Sequence, residues 1–227
     1  MKPNLSLAED YLTRFSEEIT KSTPISLRKV KLVKTNLKGK YSKALLCAVN
    51  NEVRIDPEKE YPAYVSLEHV ILHELGHISQ MELNPDMETD ASEYLIGCVN
   101  ESDIKRRLLK IARFFFSGKI RENIRSIETM VEGSAECFAL DIFPEVCTLS
   151  DEGRKFIYKR KENALQNCPK CFVAYGSRGT LLGYRFFHEL FLKEGVNGLI
   201  EFIESISERG VPTKEQLLNP KSYFIDN

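Results

Sequence analysis

Residues 73 to 77 read His73-Glu74-Leu75-Gly76-His77, and no other stretch of the chain limits its fold as tightly. Two imidazoles at i and i+4 share one face when the segment is an α-helix, one turn of which stacks them. Glu74 then lies about 100° around the axis from His73, clear of a cation held by the histidines yet beside it. The flanks support that helix. From Val65 to Gln80 there is no proline, Ser66 stands where an N-cap belongs, and Val70, Ile71, Leu75 and Ile78 offer a face to a core. The chain holds four histidines, so two of them at this spacing beside a glutamate form a donor set more specific than the bare pattern. The competing reading is a buried helix whose histidines hydrogen-bond within the core.

Two imidazoles do not complete a catalytic zinc site, which takes a third protein donor and keeps one position open. Gln80 and Leu83 occupy the places where an HExxHxxGxxH extension would need glycine and histidine, so a third histidine of that kind is excluded. Farther along, Glu128, Glu132 and Glu136 recur every four residues on a predicted helix. A carboxylate row turned into a groove has a reason to exist if it meets a cation; turned to water, it only repels itself weakly. Spacing alone leaves all three open as the third donor.

These residues resemble the gluzincins, HExxH zinc metallopeptidases with a glutamate ligand on a later helix. The likeness is to compact members of the aminopeptidase-like (peptidase MA-like) superfamily, whose second motif reads Glu-Gly-x-Ala. It implies Zn2+ held by His73, His77 and Glu132, the last in Glu132-Gly133-Ser134-Ala135. It also implies Glu74 as general base and Glu136 as a carboxylate that fixes a ligand imidazole. Both motifs are short, and an inserted pair of helices accounts for the 54 residues, 78 through 131, between His77 and Glu132. Residues 176–184 resemble the helix that delivers a tyrosine hydroxyl to a substrate carbonyl, which implies Tyr184, or else Tyr175, as oxyanion donor. Arg178 and His188 are secondary candidates there, for a substrate carboxylate and for the intermediate. The implied activity is zinc-dependent hydrolysis of peptide bonds, with endopeptidase and aminopeptidase both open. The alternative is a catalytically inactive zincin-fold protein that binds peptides or acts as a scaffold.

Periodicity sets the organisation around the motif. A helix is predicted over Leu5 to Ile19, ended by Pro24. Short strands are predicted over Lys29 to Thr35, Tyr41 to Val49 and Glu52 to Ile55, the last two joined by an Asn50-Asn51 turn. An edge among these strands is a place for an extended peptide to add as a further strand. Helices are predicted over Met87 to Cys98, Glu101 to Phe116, Ile120 to Ile142, Glu152 to Gln166, Gly179 to Lys193 and Asn197 to Glu208. The run Phe114-Phe115-Phe116 reads as a core corner. The expected fold class is α+β and zincin-like, with a small N-terminal mixed or antiparallel sheet and a predominantly helical C-terminal portion. Residues 1–227 form one domain on this reading, or two lobes of 1–84 and 85–227.

Charge and cysteine content narrow the partners. The 32 basic and 33 acidic side chains nearly cancel, so no global field recruits nucleic acid or an anionic membrane. Lys105-Arg106-Arg107 and Lys159-Arg160-Lys161 read as solvated faces of amphipathic helices. No nucleic acid and no membrane insertion are expected, a peptide or protein substrate is, and the oligomeric state is open. The amino terminus lacks the basic-then-apolar pattern of a secretory signal, which makes the cytoplasm the expected compartment. Cys168-Pro169-Lys170-Cys171 is a lone CxxC, read as two thiols near a helix start, and the other four cysteines read as small core side chains.

Overall fold

The computed structural model describes residues 2–27, 29–37, 46–49, 51–60, 65–84, 118–166, 177–210 and 212–225. The predicted helices over 87–98 and 101–116, the aromatic run, the CxxC pair, Cys98 and Tyr175 lie outside these residues, as do the side chains of Glu128 and Arg178. The chain divides into two compact units, Met1–Leu83 with Ser134–Asn167, and Asn84–Gly133 with Cys168–Asn227. A small mixed sheet precedes a largely helical remainder, the zincin-like α+β arrangement. Among the described residues no helix is long and apolar enough to cross a membrane.

The first unit is built around the helix that carries His73 and His77. Helix α1 (Leu5–Ser22) starts where Asn4 accepts the Leu7 N–H at 3.1 Å and buries Ala8, Leu12, Phe15 and Ile19, a single stripe at helical spacing. Strands β1 (Lys31–Lys34), β2 (Leu46–Val49) and β3 (Glu52–Ile55) form a sheet in the order β1-β3-β2. β1 runs parallel to β3, while β2 pairs antiparallel with it from Val49 opposite Glu52 to Leu46 opposite Ile55. Asn50 of the expected turn lies outside the described residues, and β2 is an end strand of the described sheet.

Helix α2 (Leu67–Leu83) runs through the middle of this unit and packs against α1 and β2. Its burial is nearly continuous from Leu67 to Gln80 and takes in Glu68, His69, Glu74, His77, Ser79 and Gln80. A buried helix that carries this many polar groups must satisfy each of them locally. The last turn of α3 (Gly118–Cys137) continues into a π-helical segment, Phe138–Ile142, and then the short α4 (Phe143–Val146). In the π segment the buried Asp141 receives Lys161 Nζ at 2.5 Å and the Cys137 thiol at 3.5 Å. Burial pushes the thiols of Cys137 and Cys147 up, the latter to about 12, so both are neutral core groups rather than nucleophiles or cation ligands.

Helix α5 (Asp151–Gln166) is fastened to α2 at its N-terminus. Glu68, only 3% exposed, accepts the Ser150 N–H on Oε1 and the Ser150 hydroxyl on Oε2, both at 2.8 Å. Ser150 Oγ in turn accepts the Gly153 N–H at 3.0 Å. Negative charge at a helix N-terminus is favourable. Glu68→Ala leaves these donors without an acceptor and is expected to lower stability by about 1–3 kcal/mol. Urea denaturation beside wild type measures it, and an unchanged midpoint would refute the cap.

In the second unit α3 crosses the helical segment α6 (Ser177–Arg209), which is interrupted at Gly195 with φ 70° and ψ −167°. That break falls between the two helices expected from the sequence. Gly133 and Gly183 meet at the crossing: a Cβ at Gly133 would lie 2.3 Å from Gly183 Cα, and one at Gly183 would lie 2.0 Å from the Thr129 carbonyl oxygen. Only hydrogen at both positions permits this approach. Phe186, Phe187, Phe202 and Tyr223 form the core beyond it, packed mostly edge to face with centroids 5.3–5.8 Å apart. Tyr223 comes from α8 (Pro220–Ile225), which follows the capping-box helix α7 (Lys214–Leu218).

Candidate metal centre

One turn of α2 presents both motif histidines, with ring centroids 4.8 Å apart and planes nearly perpendicular. Each has a partner for Nδ1. His73 Nδ1 lies 3.0 Å from Glu136 Oε2, and a neutral imidazole there donates Nδ1–H to the carboxylate and turns Nε2 outward as a lone-pair donor. His77 Nδ1 lies 3.4 Å from Gln80 Oε1, a longer contact. The Gln80 amide is itself held, since its nitrogen donates to Ser134 Oγ at 2.8 Å.

The third group is Glu132. Donor atoms of His73, His77 and Glu132 all lie within 4.8 Å of one another. Glu132 sits one helical turn before Glu136 on the continuous α3, so a single helix supplies an exposed carboxylate to the cluster and a buried one to the His73 imidazole. Two imidazoles and one carboxylate are a donor set that zinc takes, and one that leaves room for a further ligand. The chemistry of the set therefore fits Zn2+.

Glu136 is fully buried and receives more than one donor. His69 Nε2 lies 3.2 Å from the same Oε2, and Arg160 Nε lies 2.5 Å from Oε1. Burial alone would raise this carboxyl, but the His69 and His73 imidazoles beside it hold it well below the usual carboxylate range. Burial, the largest influence on His69, lowers that imidazole despite the neighbouring Glu136. A carboxyl held low contributes stability that is present above its unfolded value near 4.5 and lost as pH falls through the folded one. A histidine held low likewise contributes above 6.5 and loses that contribution on acidification. The metal-free protein is therefore expected to weaken as pH drops, and His69→Gln to reduce the part of the loss that begins below 6.5. Chemical denaturation at about pH 7.5 and about pH 5 compares the two chains; equal losses would refute the assignment to His69.

Glu74, the acid of the motif, is buried at 9% exposure, and its Oε2 accepts the backbone N–H of Ala48 on β2 at 2.6 Å. A charge-assisted bond of this length holds the carboxylate against the end strand. Gly76 has a structural part: a Cβ there would lie 2.8 Å from Ala135 Cα and 2.9 Å from its carbonyl oxygen, so α2 and the end of α3 approach backbone to backbone. Tyr184 is fully buried, with its ring tilted 5.5 Å from that of His188.

Four participants were not singled out from sequence. His69 continues the four-residue spacing of His73 and His77, a signal that was available. Arg160, Ser134 and the Ala48 amide carry no such signal. Arg160 and Lys161 also depart from the solvated face expected of Lys159-Arg160-Lys161: of the three only Lys159 is exposed, because buried Glu136 and Asp141 draw the next two inward.

No family model, curated protein or solved structure matches the chain. The likeness rests on the site: His73-Glu74-x-x-His77 and Glu132 have the active-site arrangement of the gluzincin HExxH zinc metallopeptidases, and they support a zinc-binding catalytic site.

Proposed function

We propose that this protein hydrolyses peptide bonds with one Zn2+ held by His73, His77 and Glu132. The observation that carries the reading is the convergence of these three donors within 4.8 Å, with Glu74 next in sequence to His73. These three side chains would hold the ion, whose Lewis acidity would lower the pKa of a water and polarise the scissile carbonyl. Glu74 accepts the proton of the attacking water and returns it to the departing amine. One of its oxygens is anchored by Ala48, which fixes the carboxylate while the other oxygen does this work. An extended substrate adds along β2, an end strand of the described sheet whose Ala48 amide already points at Glu74, so its backbone runs beside the base.

Tyr184 donates its hydroxyl to the carbonyl oxygen as negative charge develops. Support for this role comes from the Gly133–Gly183 crossing, which sets the residue after Gly183 against the residue after Glu132. Tyr184→Phe is expected to lower kcat about 10²–10³-fold with zinc content unchanged; wild-type kcat in Tyr184→Phe would remove Tyr184 from the mechanism.

The test of the whole reading is zinc stoichiometry in the wild type beside His73→Ala and Glu132→Ala, with folding checked, followed by peptide-library cleavage with the fragment ends identified. Near-equimolar zinc lost in both variants, together with cleavage by the wild type, supports a peptidase. Zinc without cleavage supports the scaffold reading, and zinc retained in folded Glu132→Ala rules out Glu132 as ligand.

A further inference from the structure

The buried His69 and the half-buried Arg160 both lie against Glu136 and take no part in the chemistry proposed above. A core histidine and a surface arginine here neutralise a buried acid. The atoms involved say more. His69 Nε2 and His73 Nδ1 converge on the same oxygen, Oε2, at 3.2 and 3.0 Å, while Arg160 Nε takes Oε1. Arg160 Nε also lies 3.1 Å from His69 Nε2. Its single proton can serve one acceptor fully, and the shorter contact is to Glu136. The arrangement that satisfies every group has His69 donating Nε2–H, His73 donating Nδ1–H and Arg160 donating Nε–H, all to one carboxylate. Donors on both oxygens stop Glu136 from rotating, and His73 is oriented by that carboxylate.

We propose that His69 and Arg160 are positioning residues for His73 that act through Glu136, locking the carboxylate so that the His73 ring keeps Nε2 turned toward the cation. This rests on the zinc reading, since it concerns how one of the three donors is held. The two residues are secured from different elements. His69 lies one turn before His73 on α2 and packs against Phe156 of α5 with centroids 5.5 Å apart. Arg160 stands on α5, which Glu68 ties to the first turn of α2. Without His69, Oε2 keeps one donor and the carboxylate gains freedom that passes to the His73 ring. Loss of the groups that orient a ligand imidazole costs about 10–100-fold in metal affinity, and His69, one bond farther out, is expected at roughly the lower end of that range.

Zinc dissociation constants of the full chain, measured by chelator competition, test this, with folding of each metal-free variant checked by circular dichroism. His69→Phe and Arg160→Met are each expected to weaken zinc binding about tenfold. His69→Gln is expected to restore it to within about twofold, because the glutamine amide nitrogen replaces Nε2–H. In a Glu136→Ala background, His69→Phe is expected to change nothing further, since its route to the metal is already cut. A purely structural histidine gives instead the same loss in both backgrounds and no rescue by glutamine; either result overturns the proposal, as does unchanged zinc affinity in folded His69→Phe. If His69→Phe does not fold, Arg160→Met, at a half-exposed position, decides alone. Wild type that binds no zinc sinks the zinc reading and this proposal together, whereas zinc in the wild type with no effect of His69→Phe or Arg160→Met sinks the positioning role only.

Discussion

Glu74→Gln is expected to retain zinc and the fold while losing about 10²–10⁴-fold in peptide hydrolysis, the usual contribution of a positioned general base. The substitution is nearly isosteric, which matters at a side chain with 9% exposure. A glutamine carbonyl oxygen still accepts the Ala48 N–H that Glu74 now accepts at 2.6 Å, so β2 and α2 keep their connection. What the amide lacks is a basic oxygen that can take a proton from water. None of the three clustered donors is altered, and zinc stoichiometry should match wild type. Turnover of an unstructured protein substrate and metal content, measured on one preparation, separate the cases. Wild-type turnover with zinc bound would remove Glu74 as base, and loss of zinc would show that Glu74 supports the donors rather than the reaction.

That two members of the three-residue cluster could be read from five consecutive letters follows from helix geometry. The i, i+4 relation of His73 and His77 is fixed once the segment is helical, and the polar lining of α2 adds only that the helix is central. Helices α1, α2, α3, α5 and α6 were legible for the same reason, as local patterns of apolar spacing with breaks at Pro24 and between Lys193 and Asn197. Glu132 was one of three acids at equal spacing, and resemblance rather than periodicity singled it out. What separates Glu132 from Glu136 is depth: one is exposed beside both histidines and the other is fully buried against His73 Nδ1. Depth depends on how the end of α3 packs against α2, and no window of sequence contains that packing. Arg160 was hidden for the same reason. In its own helix it belongs to a basic run, and only the packing of α5 against α2 brings Nε to Glu136. Ala48 could not be found at all, because its contribution is a backbone N–H that any residue but proline would supply.

The backbone of α2 meets the end of α3 closely at Gly76. Replacing a mid-helix glycine with alanine ordinarily stabilises by about 0.5–1 kcal/mol through backbone entropy. Against that gain, a Cβ on Gly76 would fall 2.8 Å from Ala135 Cα and 2.9 Å from Ala135 O, with Phe138 Cβ at 3.2 Å. The first two obstacles are backbone atoms and cannot swing aside as a side-chain tip does. Overpacking of a tight core costs about 1–3 kcal/mol, so the steric term wins, and Gly76→Ala is expected to be destabilising by up to about 2 kcal/mol. Gly76→Val adds two methyl groups and gives up the helix-propensity advantage of alanine; its expected loss is about 3 kcal/mol or more, which for a chain of this size lowers the unfolding midpoint by roughly 6–12 °C. Ala135 adjoins Glu136 and lies within a turn of Glu132, so pushing the helices apart moves a cation donor and the carboxylate that orients another. Zinc affinity should therefore fall at least about tenfold in Gly76→Val. Stability and zinc binding are lost together here, whereas Glu74→Gln loses neither. Thermal unfolding of metal-free Gly76→Val beside chelator competition measures both, and a folded Gly76→Val with wild-type midpoint and wild-type zinc affinity would mean that the close approach of α2 and α3 does not set the geometry of the site.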